Sequence, residues 1–294
     1  MNVLQRLNRA LDYVEDNLDG ELDYSVAAKH ACCSSYNFQR MFSFIAGISL
    51  VEYVRRRRMT LAGIALQQGE KVINVALRFG YDSPVSFARA FRETHGFSPS
   101  QARRSKANLK AYPRISFQIT IKGETPMKYR IEDKPAFQIF GIEHIFPSNC
   151  ENGEFPASPA ELWQACFQDG RHDQLFQDAG ENSGTAVGKV HGAMGYRDTG
   201  DDTFPYMLFA FAQPQSKTQG YATADIPAQT YAIFPSEPFE WPNVVETIHA
   251  LYEQFYREWL PGSGYELANG MNFEIYGGDG EMGQIEMWYP IVKC

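Results

Sequence analysis

The feature that most constrains the fold is a pattern of helix signals that occurs twice in the first hundred residues. In each copy a short helix is followed by a helix start signal, Ser34-Ser35 in one and Asp82-Ser83-Pro84 in the other. Serine and aspartate cap helix N-termini, and proline is favoured at the first helical position. Apolar residues then recur at helical spacing: Phe38, Met41, Phe42 and Ile45 in the first copy, and Phe87, Ala90 and Phe91 in the second. The repeat predicts an all-α domain of two helix-turn-helix units.

The faces opposite these apolar residues carry side chains that can reach base edges in a major groove. In the first unit they are Tyr36, Gln39 and Arg40, and in the second Ser86 and Arg89. Arginine pairs with guanine and glutamine with adenine. A solvated helix face has a similar composition, so the pattern alone leaves both interpretations open.

A longer helix, Leu50 to Leu66, is predicted between the two units. It would span about 25 Å, enough to place two reading helices about 34 Å apart, one turn of DNA. Its run Arg55-Arg56-Arg57-Arg58 wraps most of a helix turn and cannot face one phosphate strand as a whole. Arg55 and Arg58 are the predicted phosphate contacts, and intramolecular pairing or plain solubility is the alternative for the run.

Charge divides the chain into two parts of opposite sign. Residues 1–110 contain 16 Lys/Arg and 10 Asp/Glu, a balance of +6, whereas residues 111–294 contain 11 and 25, a balance of −14. A basic segment joined to an acidic one indicates a division of labour between nucleic acid and another partner. Chance segregation of surface charge is the alternative.

Composition excludes several other classes of protein. The five cysteines form no metal-binding pattern, and the chain starts without an export signal, which together predict a reduced, cytoplasmic protein without structural zinc. The longest apolar run, Tyr206 to Ala212, is about a third of what a membrane-spanning helix needs. No membrane association is expected.

Beyond a predicted linker, Ser105 to Arg114, strand signals dominate and two helices interrupt them. The predicted helices are Pro159–Phe167 and Val244–Trp259. The predicted strands are Ile115–Ile121, Met127–Ile131, Phe137–Ile145, Lys189–Tyr196, Tyr206–Ala212, Gln229–Phe234, Phe273–Tyr276 and Gln284–Ile291. The order strand, helix, two strands occurs twice, and Pro135-Ala136 is echoed by Pro227-Ala228, which indicates an internal duplication.

All four tryptophans lie in this acidic half, as expected for a pocket that holds a flat or cationic guest. On the last predicted strand, the two-residue period puts Glu286 and Trp288 on one face. We expect these two residues, with Trp163 and Tyr206, to contact a ligand. The alternative is that the aromatic residues form the core and that Glu286 pairs with an internal cation.

Over Leu4 to Arg104 the sequence resembles the AraC/XylS family of bacterial transcription regulators. The resemblance is carried by Cys33–Phe42, Tyr53–Arg58, Gly80–Phe91 and His95–Arg103. It implies a double-stranded DNA partner, base contacts from Tyr36, Gln39, Arg40, Ser86 and Arg89, and contact with RNA polymerase. Some relatives open the second reading helix with two glutamines, whereas this chain has Pro84 and Val85 there.

From about Pro113 to Cys294 the chain is similar to GyrI-like effector-binding domains. The stretches that carry the likeness are Pro135–Gly141, Ile226–Phe234 and Ile285–Ile291. The resemblance implies an α+β domain of two βαββ modules around a cleft, with an acidic residue near the final strand that meets a cationic or polar aromatic small-molecule effector. The predicted organisation is therefore a DNA-binding domain over residues 1–107 and an effector-binding domain over residues 113–294.

Two other functions for the second domain remain open. Some GyrI-like proteins hydrolyse strained cyclic compounds with an acidic residue and a tyrosine, which here would be Glu286 with Tyr206 or Tyr289. The domain could also be an interaction module without a ligand. The sequence contains no phosphate-binding loop, nucleophile elbow or zinc-protease motif, so we expect a regulator that is not an enzyme and has no cofactor or metal.

Overall fold

The computed structural model describes residues 3–104, 108–117, 127–147, 158–181, 188–196, 199, 203–268, 270–278 and 281–293, apart from the side chains of Val3 and Tyr36. The chain forms two compact units, Val3–Gln118 and Ile119–Cys294. The predicted layout of a helical unit followed by an α+β unit is confirmed. Within the described residues, no helix is both long and apolar enough to cross a membrane.

The described residues of the first unit form seven helices. They are α1 (Val3–Asp16), α2 (Tyr24–His30), α3 (Ser35–Ala46), α4 (Leu50–Gln67), α5 (Val72–Arg78), α6 (Pro84–His95) and α7 (Pro99–Arg104). The side chains of Ser34, Ser49 and Ser83 each accept a hydrogen bond from a first-turn N–H, of α3, α4 and α6 respectively. Helices α2–α3 and α5–α6 are the two predicted helix-turn-helix units.

Helix α4 packs against both helix-turn-helix units, because its two halves belong to different hydrophobic cores. Near its start, the Tyr53 ring lies 5.4 Å from that of Phe42 in α3. Its second half belongs to another cluster, which contains Met59, Ala62, Ala65, Leu66, Val75, Ala76, Phe79, Phe87, Phe91 and Ala102. Helix α4 thus contributes to the hydrophobic cores of both helix-turn-helix units.

Residues 108–117, which we name the strap, form an extended segment bound to the helices of the first unit. Three of its backbone N–H groups donate to helix side chains: Lys110 to His95 Nδ1 (3.2 Å), Tyr112 to Thr60 Oγ1 (3.0 Å) and Ile115 to Tyr53 Oη (3.1 Å). At its end, Phe117 is buried, and its backbone N–H and C=O both bond the Asn8 amide.

The strap corrects the predicted linker. Residues 108–114 bind the helices rather than connect two domains freely, and the compact unit continues past residue 107 to Gln118. Because the strap binds largely through its backbone, it leaves no periodic side-chain pattern in the sequence. Residues 115–117 also form no strand, and the rest of the predicted strand Ile115–Ile121 lies outside the described residues.

The second unit is built on one antiparallel sheet. Its strands are β1 (Arg130–Lys134), β2 (Phe137–Pro147), β3 (His191–Met194), β4 (Thr203–Phe211), β5 (Ala222–Ile226), β6 (Gln229–Pro235), β7 (Phe239–Glu240), β8 (Tyr265–Leu267), β9 (Asn272–Gly278) and β10 (Met282–Lys293). The order across the sheet is β1-β6-β10-β9-β3-β4-β2-β5, with β7 and β8 paired to β10.

This order confirms the internal duplication. Counted inward from one edge of the sheet, the strands are β1, β6, β10 and β9; counted inward from the other edge, they are β5, β2, β4 and β3. Strands β1 to β4 in one copy thus correspond to β5, β6, β9 and β10 in the other, and the two copies meet at the β3–β9 pair. The two copies exchange their outermost strands. Strand β1 precedes β2 in sequence but pairs with β6, and β5 precedes β6 but pairs with β2.

Helices cover one face of the sheet. They are α8 (Pro159–Gln168), α9 (Arg171–Asp178) and α10 (Val244–Glu253), which continues as a π-helical turn over Gln254–Trp259. In that turn, the Phe255 ring stacks on Tyr289 of β10 at 3.7 Å. The opposite face forms an apolar cluster that includes Phe209, Phe273 and Trp288. Residues of β9 and β10 therefore alternate between a helix-covered face and this cluster.

Several elements escaped the sequence prediction. Strand β5 reads Ala-Thr-Ala-Asp-Ile and helix α9 reads Arg-His-Asp-Gln-Leu-Phe-Gln-Asp, so neither carries a strong apolar period. Both are held by tertiary contacts, β5 at the sheet edge beside β2 and α9 against α8 and β4. Local propensity is a weak guide where packing decides.

Candidate functional sites

A buried carboxylate lies within the second unit, at the β3–β9 pair where the two internal repeats meet. Glu274 of β9 pairs with Gly192 of β3 and is only 5% exposed. Three tyrosine hydroxyls donate to it: Tyr206 (3.0 Å) and Tyr276 (2.9 Å) to Oε2, and Tyr252 (3.3 Å) to Oε1. The donors come from β4, β9 and α10, so the fold gathers them from distant parts of the sequence.

Trp163 of α8 completes this group of side chains. Its indole N–H donates to the Tyr206 hydroxyl at 2.7 Å, and its ring meets that of Tyr276 edge-on at 5.1 Å. Burial and the nearby charge of Glu274 raise the pKa of both Tyr206 and Tyr276 well above the ordinary value. The two phenols therefore stay protonated and act as donors towards the carboxylate.

Gly192 leaves the space that this arrangement needs. A Cβ atom built on Gly192 would lie 2.4 Å from the Tyr206 hydroxyl oxygen and 2.7 Å from Glu274 Oε2. Both distances are too short for a carbon atom. Only glycine therefore lets the tyrosine and the glutamate meet over β3.

His191 fixes one of the three tyrosines from the other side of the sheet. The backbone N–H of Tyr276 donates to His191 Nδ1 at 3.2 Å, so this ring nitrogen carries no proton. Burial lowers the pKa of His191 to about 3. The neutral imidazole is thus part of the scaffold that holds Tyr276.

The structure divides the four predicted ligand residues into two pairs. Trp163 and Tyr206 belong to the Glu274 site. Glu286 and Trp288 do share a face, but it is the opposite one, because Glu286 pairs with Ile275 and Trp288 with Phe273 in the neighbouring strand. There the Glu286 carboxylate accepts a hydrogen bond from Arg130 at 2.8 Å and from the Trp288 indole at 3.1 Å. Arg130 is therefore an internal cation paired with Glu286, which is the alternative to ligand contact considered for this residue from the sequence.

Glu274, Tyr252 and Tyr276 were not predicted from the sequence as site residues. One signal for Glu274 was present: it is the single carboxylate within Phe273–Tyr276, a predicted strand that is otherwise apolar and aromatic. Such a residue must be either exposed or buried with partners. Nothing local in the sequence pointed to Tyr252, which lies on another element.

In the first unit, helix α3 presents fewer polar groups than predicted. Gln39 is buried, and its amide donates to the Ser35 hydroxyl at 3.3 Å, whereas the prediction placed it on the outward face. Arg40 is half-buried with its guanidinium 5.7 Å from the Phe44 ring centre. The side chain of Tyr36 lies outside the described part of the chain.

Helix α6 is the more open of the two reading helices. The Arg89 side chain is 85% exposed and bonds Glu93 at 3.3 Å. Val85 is 80% exposed in the first turn. The Ser86 hydroxyl donates to the Ser83 carbonyl at 2.9 Å, so it takes part in the cap of its own helix.

The four arginines of α4 differ in what they bind. Arg55 and Arg56 share the carboxylate of Glu52 and stay partly exposed. The Arg57 guanidinium is buried against Glu15 and donates to the Tyr112 carbonyl of the strap. Arg58 differs from the prediction, because its guanidinium donates to the Leu18 and Gly20 carbonyls, just after the end of α1.

Two family profiles match the chain. Residues 130–291 match the integron-associated effector binding protein family, and residues 27–105 match a helix-turn-helix domain. The first match spans more than half of the chain and contains Glu274 with all three tyrosines and Trp163. In the described residues, no group of three or more His, Cys, Asp or Glu side chains is arranged to hold a metal ion.

Curated relatives match the first unit. The chain is 38% identical over 100 residues to the HTH-type transcriptional activator AarP of Providencia stuartii, covering 34% of this chain and 74% of that protein. It is 32% identical over 104 residues to the regulatory protein SoxS of Salmonella typhimurium, covering 35% of this chain and 97% of that protein.

Solved structures similar to the second unit include a bacterial transcription regulation protein of Staphylococcus aureus MU50, with 18% identity and a TM-score of 0.43 over 56% of this chain and 99% of that one. SAV2435 bound to tetraphenylphosphonium is 20% identical, with a TM-score of 0.40 over 56% of this chain and 94% of that one. The family matches and the curated relatives identify the protein: the chain belongs to the integron-associated effector binding protein family, and with its AraC-type helix-turn-helix domain it is a DNA-binding transcription regulator.

Proposed function

We propose that the effector is a lipophilic organic cation whose charge is bound at Glu274. The observation that carries this proposal is a buried carboxylate to which three phenol hydroxyls donate. Neutral donors stabilise the negative charge without cancelling it. A cationic guest would add a charge attraction that these neutral donors do not supply.

The surroundings of Glu274 favour a guest with aromatic groups. Two charges attract each other more strongly away from water, where dielectric screening is weak. The partly exposed rings of Trp163 and Tyr276 add apolar surface and faces on which a cation or a flat ring can rest. A small hydrated cation would gain less, because it must lose its water shell and fills none of this surface.

The test compares Glu274→Gln with Glu286→Gln in the full chain by calorimetric titration. The ligands are tetraphenylphosphonium and its neutral analogue triphenylphosphine oxide. Glu274→Gln should weaken binding of the cation by about 2 kcal/mol or more and leave binding of the neutral compound unchanged. Glu286→Gln removes the same charge on the opposite face and should change neither. Equal losses for both compounds would refute the assignment.

We also propose that the site binds its guest without converting it. The two carboxylate and tyrosine pairs suggested for a hydrolase do not form, since Glu286 faces away from both Tyr206 and Tyr289. A sensor needs its ligand to persist. Chromatography of the titrated ligand after prolonged incubation should recover it unchanged, and a product that depends on Glu274 would establish turnover.

For DNA, we propose that Arg40 and Arg89 contact bases and that Arg55 contacts phosphate. Arg89 and Arg55 are exposed enough to reach a duplex without disturbing the fold. Tyr36, Gln39 and Ser86 stay in the proposed interface as well. Gln39 and Ser86, however, would first exchange the intramolecular hydrogen bonds that they make now.

The DNA contacts are tested on a site selected from a random pool of duplexes. Arg40→Ala should weaken binding to the selected site by about 1–3 kcal/mol and leave binding to unrelated DNA unchanged. Arg55→Ala should weaken all sequences and flatten the salt dependence. Arg58→Ala is the matched control, because its guanidinium is used inside the fold: it should lower stability and leave the salt dependence unchanged.

Finally, we propose that effector and DNA binding are linked and that the bound protein contacts RNA polymerase. Linkage requires the effector to change the affinity for DNA by the same factor as DNA changes the affinity for the effector. The likeness to a transcriptional activator supports the contact with polymerase. Transcription from the selected site, with and without tetraphenylphosphonium, tests both points together.

A further inference from the structure

An aromatic surface lies on helices α8 and α9, next to the Glu274 site. Phe167 is 55% exposed and Phe176 is 43% exposed. The ring of His172 lies between them, 4.3 Å from Phe167 and 6.5 Å from Phe176. We name these three residues the outer aromatic cluster. Exposed rings grouped in this way usually mark a binding surface.

The outer aromatic cluster is continuous with the buried site through Trp163. The Trp163 ring is 5.9 Å from Phe167 and 6.0 Å from His172. On its other side, the same ring meets Tyr276 and bonds the Tyr206 hydroxyl. A line of aromatic side chains therefore runs from solvent to the residues that hold the Glu274 carboxylate.

A cation from the protein itself already rests on this cluster. The Lys189 ammonium lies 4.7 Å from the centre of the Phe176 ring. That distance is within the range of cation–π attraction. The geometry at Phe176 is thus suited to a positive charge, and Lys189 occupies the place that a cationic guest would take.

We propose that the outer aromatic cluster is a second, weaker binding site for planar aromatic cations, from which a guest reaches Glu274 along Trp163. The inner end of this path rests on the function proposed above, whereas the outer site stands on its own contacts. Lys189 competes with the guest for the face of Phe176. The outer site is weaker because its rings are exposed to solvent, and cation–π attraction falls there.

The experiment measures binding of rhodamine 6G, a planar aromatic cation, to the full chain by fluorescence anisotropy. Glu274→Gln should remove the tight phase and leave a weak one. In that background, replacing both Phe167 and Phe176 by alanine should weaken the remaining phase about tenfold. Both residues are exposed, so the fold should survive the change. Trp241→Ala removes an exposed ring elsewhere and should have no effect.

Lys189→Gln provides a test of opposite sign, again in the Glu274→Gln background. Removing the competing cation should strengthen the weak phase about threefold, whereas loss of a merely structural lysine would weaken it or leave it unchanged. Lys293→Gln removes the same charge at the end of β10 and is the control.

The proposal is overturned if no weak phase exists in the Glu274→Gln protein, if that phase ignores the loss of both rings, or if Lys189→Gln fails to strengthen it. Persistence of the tight phase in Glu274→Gln would instead refute the effector site at Glu274. The two failures are therefore distinct.

Discussion

Glu15 of the helical unit and Glu274 of the sheet unit are both shielded carboxylates that accept a hydrogen bond from a tyrosine, but the two are held differently. In the helical unit, Glu15 accepts a 2.6 Å hydrogen bond from Tyr53 and two more from the Arg57 guanidinium, from Nε at 2.8 Å and from Nη2 at 2.7 Å. In the sheet unit, Glu274 accepts hydrogen bonds from Tyr206, Tyr252 and Tyr276. An arginine cancels the charge that it binds, whereas phenols only stabilise it.

The pKa of Glu15 reflects its ion pair with Arg57. Burial would raise the pKa of Glu15, but hydrogen bonds from Arg57 and Tyr53 outweigh it and lower the value. In both units the carboxylate helps to raise the pKa of its tyrosine donors, Glu15 that of Tyr53 and Glu274 those of Tyr206 and Tyr276. The comparison suggests that a buried acid bound by an arginine has a structural role, and that one bound by hydroxyls can be kept for a ligand.

The largest expected effect concerns the strap, which covers the Glu15 site. A fragment of residues 1–107 loses the Tyr112 carbonyl that binds Arg57 and the buried ring of Phe117. Compared with residues 1–118, it should lose about 5 kcal/mol of unfolding free energy, from one buried aromatic ring and several hydrogen bonds. Urea denaturation of both fragments measures the difference. Equal midpoints would return the strap to the role of a linker.

Arg57→Met should be the next most damaging change. It leaves the Glu15 charge buried beside Tyr53 without its cation, at a cost of about 3–5 kcal/mol. Arg56→Met, on the same helix turn but with a partly exposed guanidinium, should cost less than about 1 kcal/mol. Thermal and urea unfolding of the two variants should separate them clearly. Similar losses would show that Glu15 is no more dependent on its arginine than a surface pair.

Acid should destabilise the sheet unit through His191. The pKa of this imidazole is about 3 in the folded chain and 6.5 for an unperturbed histidine, so protons bind the unfolded chain first as the pH falls. Stability is unaffected above pH 6.5 and declines below it, by about 2 kcal/mol at pH 5. His191→Gln should flatten this slope in urea titrations between pH 7 and 5. An unchanged slope would assign the loss to other groups, among them His95, whose pKa burial also lowers.

The smallest effect should come from Glu274→Gln in the absence of ligand. The amide keeps the shape: its oxygen can still accept from Tyr206 and Tyr276, and its nitrogen can donate to the Tyr252 hydroxyl, while the cost of burying a charge disappears. We expect the unfolding free energy to change by less than about 1 kcal/mol, in either direction. A loss as large as that of Arg57→Met would mean that both carboxylates are structural, and the contrast between the units would fail.

The sequence predicted the helical unit well because its signals are local. Caps at Ser34 and Ser83 and the apolar spacing of α3 and α6 lie within a few residues of the structures that they determine. The strap has no such signal. Its partners, Tyr53, Thr60 and His95, are brought to it only by the folded helices.

The placement of Glu286 and Glu274 shows the limit of strand periodicity. Alternation placed Glu286 and Trp288 on one face, and the structure confirms that they share it. The period cannot say which face the helices cover, since that depends on how the two copies assemble. Alternation along the strand therefore cannot decide between Glu286 and Glu274, because tertiary structure sets which face the helices cover.

The self-mapping order of the sheet also bears on how such a site could arise. Two like modules that pair along β3 and β9, and exchange β1 and β5, resemble a symmetric dimer joined into one chain. Symmetry would force both sides of the seam to carry the same residues. Once joined, the copies were free to diverge, and here one supplies the acid and the other the glycine that makes room for it. A single chain thus holds an asymmetric arrangement of acid and glycine that a symmetric dimer of identical halves could not form.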